Sequence, residues 1–184
     1  MYYSEQCPET VKSKGLGLIH LDYGPGVGKT TRAIGLAVRA AGDGLKVDFI
    51  QFMKSGNSSE VAVLQKIPNI RYLCPGKHPF IMSEGPSDVH YEHAAKAFDM
   101  ALRAVEEQRQ VLICDEILDT LFFGILDKSQ LMDLIERCRE KTELIMTGRT
   151  APDEILEAAD YATEFTQIKH PYYKGVKARK GIEY

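Results

Sequence analysis

The run Gly24-Pro25-Gly26-Val27-Gly28-Lys29-Thr30-Thr31 has the residue types and spacing to grip a triphosphate. Glycines at alternate positions let a backbone wrap around phosphate oxygens with several N–H groups turned inward. Lys29 adds a full positive charge, and a helix opening at this point adds the partial charge of its amino end. Thr30 places a hydroxyl where the Ser/Thr of a Walker A loop ligates Mg²⁺. The strand-like run Leu18-Ile19-His20-Leu21 before the loop and the Ala/Leu-rich stretch after it supply the context that such a loop needs. A plain glycine turn between strand and helix is the alternative, and it leaves Lys29-Thr30-Thr31 unexplained. The loop departs from the common GxxxxGK[ST] spacing, because Tyr23 stands five positions before Gly28 where a glycine is usual. Its grip on a nucleotide therefore differs from that of most P-loop ATPases, and hydrolysis to ADP does not follow from the motif.

A second constellation is Val111-Leu112-Ile113-Cys114-Asp115-Glu116, an apolar strand that delivers two carboxylates at its carboxyl end. Ligands bind at that end in open parallel sheets. Either carboxylate would hold Mg²⁺ directly or through water, and in an ATPase the second would commonly orient the attacking water. An acidic turn at a strand end is the alternative.

These constellations need elements to hold them. Short apolar runs alternate with amphipathic stretches, the pattern of a parallel sheet covered on both faces, so the fold class is α/β. Strands are expected over 16–21, 46–52, 69–73, 111–114, 143–147 and 162–168. The stretch 31–41 reads as the helix after the glycine loop, with Ile34, Val38 and Ala41 on one stripe and Gly42 and Gly44 stopping it. A long crossover helix is expected over 87–108, where Ala94, Ala97, Phe98, Ala101, Leu102 and Val105 keep the helical period. Shorter helices are expected over 129–139, capped by Ser129, and over 152–159, opened by Pro152. Residues 74–87, CPGKHPFIMSEGPS, form a Pro/Gly-rich loop longer than a connection requires and are the candidate lid.

Composition narrows the class. With 184 residues the chain fits one domain over 15–184, preceded by a flexible segment over 1–14. The net charge of −3 argues against a general nucleic-acid binder. Cys7, Cys74, Cys114 and Cys138 have no CxxC spacing and read as free thiols of a reducing cytoplasm. No signal peptide or membrane-spanning apolar run is read, which makes a cytoplasmic protein with no membrane partner the expectation.

Other residues invite readings. His90 and His93, three apart and near Asp88 and Glu92, are too few for a closed zinc site and read as a solvated helix face. The basic, aromatic tail from Lys169 to Lys180 is either solvated or part of an anionic-ligand site. Arg39 ends the loop helix and Arg149 follows a strand at the cradle edge. Either is a candidate for the triphosphate, with surface ion pairing as the alternative.

Taken together, these motifs resemble the P-loop type of corrinoid adenosyltransferase. The residues that carry the resemblance are GPGVGKTT, then Ala33 to Ala40 and Gln51-Phe52-Met53-Lys54. Asp115-Glu116-Ile117, Thr147-Gly148-Arg149 with Pro152 and Ala159-Asp160, and the ending Lys169-His170-Pro171 with Gly175 to Tyr184 complete it. The resemblance spans about residues 15–184 and implies a P-loop NTPase-like (RecA-type) fold, a mostly parallel sheet with helices on both faces. It implies transfer of the 5′-deoxyadenosyl group of ATP to Co(I) of a reduced corrinoid, cobalamin or a precursor, with tripolyphosphate released. Gly24, Pro25, Gly26, Val27, Gly28, Lys29, Thr30, Thr31 and Arg39 would then bind nucleotide, and Thr30, Asp115 and Glu116 would serve Mg²⁺. Lys29, Thr30 and Glu116 would carry the catalysis. A homodimer supplied with electrons by a flavoprotein is also implied.

The chain departs from the family pattern in places. Val27 stands where many members have Lys, and the chain has no Trp for the Phe-x-Trp motif that many members carry in the segment matching 74–82. Phe80, with His78 and Met82, is the local substitute on the corrinoid side. The segment ahead of the loop is short beside members whose leading helix covers the site. Two other readings make different products: a P-loop ATPase or phosphotransferase releases ADP, and a corrinoid- or nucleotide-binding protein without turnover releases nothing.

Overall fold

Which face each strand shows is decided by the alternation of its side chains. The computed structural model describes residues 15–184; the segment 1–14 expected to be flexible, and Cys7 within it, lie outside the described residues. Six strands, β1 (Ile19–Tyr23), β2 (Val47–Gln51), β3 (Ile70–Leu73), β4 (Val111–Asp115), β5 (Glu143–Thr147) and β6 (Tyr161–Glu164), form one sheet in the order β3-β2-β4-β5-β1-β6. Every pairing is parallel. Between them run α1 (Lys29–Gly42), α2 (Val61–Leu64), α3 (Asp88–Glu106), α4 (Ile117–Phe122), α5 (Lys128–Cys138) and α6 (Asp153–Glu157).

On one face Val47, Phe49, Val111, Ile113 and Ile145 meet the alanine stripe Ala33, Ala37, Ala40 and Ala41 of α1. Their neighbours Ile50, Leu112, Cys114, Leu144 and Met146 point to the other face, against Ala94, Ala97, Phe98 and Ala101 of α3 and Leu131, Leu134 and Ile135 of α5. The period of two along each strand thus makes two apolar layers, and each fully buried Leu or Ile contributes roughly 1.5–3 kcal/mol. The alanines let α1 lie close to the sheet, so a larger side chain at Ala37 would cost about 1–3 kcal/mol by overpacking. The sheet order puts β5 between the strand of the glycine loop and the strand of the acidic pair. All three deliver their carboxyl ends to one edge, as the P-loop NTPase-like α/β reading requires.

The structure moves several boundaries. β1 starts at Ile19 because the N–H groups of Gly17 and Leu18 donate to the Glu143 carboxylate, at 2.9 and 3.0 Å, instead of to a strand. β6 ends at Glu164, since the next carbonyl, of Phe165, accepts from Gly26 N–H of the glycine loop at 2.6 Å. α5 is capped by Asp127 rather than Ser129, with Gln130 Oε1 accepting from Asp127 N–H in return at 2.9 Å. The short helices α2 and α4 were not expected from the sequence. With four and six residues they are too short to display a helical period. Among the described residues, no helix is long and apolar enough to cross a membrane.

Candidate functional site

The glycine loop leaves β1 at Tyr23 and enters α1 at Lys29 through Gly28, whose φ of 109° is a conformation that side chains resist. Gly24 N–H donates to the Arg149 carbonyl at 3.1 Å, which ties the loop to the end of β5. A Cβ on Gly24 or on Gly26 would meet the Phe165 carbonyl oxygen at 2.6 Å, so the loop is pressed on the residue after β6 and has no room there for a side chain. Lys29 Nζ donates to the Gly24 and Gly26 carbonyls at 2.6 and 2.7 Å, closing a ring over the loop. Burial lowers the Lys29 pKa from its ordinary value, opposed by the charges of Asp119 and Glu116. Pro25, Val27 and Thr31 face solvent around this ring.

One strand over, Asp115 is fully buried and collects four donors. Thr30 Oγ1 and Thr147 Oγ1 donate to its Oδ1 at 2.9 and 2.8 Å, and Lys54 Nζ and Gln51 Nε2 donate to its Oδ2 at 2.8 and 3.3 Å. Glu116 Oε1 is 3.5 Å from the same Lys54 Nζ, and Lys54 Nζ also donates to Thr30 Oγ1 at 3.2 Å. Thr30, Asp115 and Glu116 therefore converge on one cation, an ammonium standing where a divalent ion would find a hydroxyl and two carboxylates. An all-oxygen donor set suits Mg²⁺. Burial pushes the Glu116 carboxyl upward, and Asp115 and Asp119 add to this against the pull of Lys54. Both residues that aim these groups carry left-handed backbone: Glu116 has φ 64° with its N–H held by Thr147 Oγ1 at 2.8 Å, and Met53 has φ 49° just before Lys54. Such strain costs about 1–3 kcal/mol each and collects at working sites.

Lys54, Gln51, Thr147 and Asp119 were not singled out as site residues from the sequence. Gln51, Asp115 and Thr147 all end parallel strands at the same edge, and that common position was the signal available. Asp119 sits on α4, where its Oδ1 accepts the Arg149 N–H at 2.7 Å, while the Arg149 side chain points outward. Gly148 lets α4 approach, since a Cβ there would lie 2.5 Å from the Leu118 side chain.

Arg39 is not brought to the cradle. α1 carries it about 15 Å from Lys29, to a groove of about 570 Å³ lined with Leu16, Leu45, Val111 and Glu143 at the amino ends of the strands. In the chain taken alone, Arg39, expected to contact nucleotide, thus lies apart from the other residues of the cradle.

The candidate lid, 74–87, connects β3 to α3. Phe80 and Met82 are 92% and 68% exposed on it. His78 turns the other way, with its ring 4.8 Å from both His90 and His93. His90 and His93 are buried, correcting the solvated-face reading. His93 Nε2 binds the Lys54 carbonyl at 3.0 Å and His90 Nε2 the Pro79 carbonyl at 3.1 Å, so the pair fastens the loop and the Lys54 backbone to α3. Their three-residue spacing put both rings on one helix face, but it did not say that the face is covered. The tail leaves β6 beside the glycine loop and is exposed from Pro171 onward, yet the Tyr184 carbonyl accepts from Ser59 Oγ at 3.0 Å on the far side of the edge. It thereby spans the carboxyl edge of the sheet.

The chain is similar over this whole length to known proteins. The family model described as ATP:corrinoid adenosyltransferase BtuR/CobO/CobP matches residues 15–184. The corrinoid adenosyltransferase of Pseudomonas aeruginosa is 30% identical over 183 residues, which cover 98% of this chain and 89% of that one. The corrinoid adenosyltransferase of Escherichia coli K12 is 30% identical over 178 residues, 91% of this chain and 86% of that protein. A Sinorhizobium protein of the same name is 27% identical over 177 residues, with 94% and 83% covered.

Proposed function

We propose that this chain, which belongs to the ATP:corrinoid adenosyltransferase family, joins the 5′ carbon of ATP to reduced cobalt of a corrinoid and holds the triphosphate while it departs. The observation that carries the reading is the convergence of Lys29, Thr30, Asp115 and Glu116 at one edge beside a glycine loop of unusual spacing. Co(I) of the substrate attacks the 5′ carbon, the bond from that carbon to the ester oxygen breaks, and the electron pair leaves with tripolyphosphate. The reaction calls for no nucleophile or general base from the protein.

The work of this chain is then electrostatic. Loop amides and Lys29 face charge that grows on the leaving group, and binding aligns carbon with cobalt. Thr30 and Glu116 would hold Mg²⁺, with Asp115 fixing the Thr30 hydroxyl; the ion would neutralise phosphate charge. Phe80 and Met82, exposed on the 74–87 loop, are assigned to the corrin side. His78, turned toward α3, belongs to the support of that loop. A homodimer in the cytoplasm, served by a flavoprotein reductant, completes the proposal.

Mixing the protein with Mg-ATP and chemically reduced cobalamin or cobinamide tests it. Growth of cobalt–carbon absorbance in proportion to enzyme is expected, and its absence with both corrinoids removes the reading.

A further inference from the structure

The position of Lys54 has a use that the family reading does not supply. Its ammonium lies 2.8 Å from Asp115 Oδ2, 3.2 Å from Thr30 Oγ1 and 3.5 Å from Glu116 Oε1. These are the same oxygens assigned to the divalent ion. Two unlike restraints act on this residue. Its main chain is fixed, because its carbonyl accepts from His93 Nε2 at 3.0 Å and from Cys74 Sγ at 3.3 Å, and the left-handed Met53 turns it toward the cradle. Its side chain is a flexible four-carbon stem, 23% exposed, ending in a point charge that needs no particular approach angle. The ammonium can leave the carboxylates by changing rotamers while the backbone stays in place.

We propose that Lys54 competes with the divalent cation for Thr30, Asp115 and Glu116, so that the metal binds together with the phosphates of the nucleotide and only weakly before them. A bare divalent ion arriving at these oxygens meets an ammonium at contact distance, and the repulsion is large because Asp115 is buried. A nucleotide triphosphate supplies the anionic oxygens that the displaced ammonium needs, so its arrival relieves both charges at once. The coupling is reciprocal: metal favours nucleotide by the same factor that nucleotide favours metal. Lys54 is in this sense a positioning residue that sets the order of assembly, and the inference rests on the reading of the cradle as a metal–nucleotide site.

The test follows Mn²⁺ binding by electron paramagnetic resonance, with and without ATP or tripolyphosphate. For the natural chain, Mn²⁺ alone binds weakly and added ATP tightens it by about tenfold or more. For Lys54→Met, Mn²⁺ alone binds about tenfold tighter than to the natural chain, and the ATP effect shrinks to match. Lys54→Arg keeps the charge and the coupling. Lys54→Gln, which retains a donor for Asp115, gives the same reading as Lys54→Met should the apolar variant unfold; circular dichroism checks this. Unchanged or weaker Mn²⁺ affinity in both neutral variants, with ATP-dependent Mn²⁺ binding intact in the natural chain, overturns the competition and leaves the proposed function standing. Absence of Mn²⁺ binding to the natural chain even with ATP overturns both.

Discussion

Asp48 and Asp115 are both fully buried aspartates on neighbouring parallel strands, yet their partners are of opposite kinds. Asp48 lies between two guanidinium groups. Arg71 reaches both of its oxygens, with Nε at 3.0 and 3.1 Å and Nη2 at 2.5 Å, and Arg109 Nε stands 2.7 Å away without hydrogen-bond alignment. Arg71 is itself held by Glu107 at 2.7 Å. Asp115 has two threonine hydroxyls, a glutamine amide and one lysine. A planar fork that binds two oxygens is a fixed counter-charge, whereas hydroxyls and a flexible ammonium can be exchanged for a metal and phosphates. The partners thus make Asp48 a bolt, and on the proposed reading they make Asp115 a socket.

That contrast fails or sharpens under substitution. The largest effect is expected for Asp48→Ala, which strands two guanidinium groups and should lower stability by about 3–5 kcal/mol in denaturant titration, while molecules that remain folded keep their rate. A loss of activity per folded molecule would make Asp48 more than a bolt. Next comes Lys29→Ala: with one charged donor to the leaving group removed, the adenosyl-transfer rate should fall by about 10²–10³-fold. The unfolding midpoint should stay near that of the natural chain. A rate within threefold of normal would place Lys29 outside the reaction.

Asp115→Asn is expected to act mainly on metal. The Mg²⁺ concentration for half-maximal rate should rise by about ten- to a hundredfold, as for other residues that orient metal ligands, with less loss of stability than Asp48→Ala because Lys54 can turn to water. If it destabilises as much as the Asp48 variant does, the two aspartates are alike and the contrast is lost.

The fold was readable in the sequence to the extent that its elements were long enough to show a period. The strands around Val111 and Glu143 and the helices α1 and α3 are of this kind, and so is the glycine loop, whose composition is its own signal. α4 was hidden by its length, and with it Asp119. Lys54 and Thr147 were hidden because their role comes from sheet order: β5 and β2 flank β4, and only that adjacency brings a lysine and a threonine onto Asp115. The histidines show the reverse error. Their helix position was read correctly, but burial depends on what the 74–87 loop does, and nothing local in the sequence states it.

The smallest effect concerns that loop. Burial, with His93 and His90 adding to it, holds the His78 imidazole down to about 4. The unfolded chain therefore takes up this proton near pH 6.5 while the folded loop does not. The stability contribution is complete above about pH 6.5 and declines as the pH falls toward 4. Hydrogen exchange in residues 74–87 should quicken over this window, and His78→Gln should flatten the dependence. A flat profile in the natural chain would detach His78 from the clamp.

The most direct measurement of the central claim identifies the phosphorus product by ³¹P NMR after turnover with Mg-ATP and chemically reduced cobalamin. Tripolyphosphate is expected in an amount equal to the cobalt–carbon bond formed. ADP with orthophosphate, in place of tripolyphosphate, would contradict it and make the cradle that of a phosphate-cleaving enzyme.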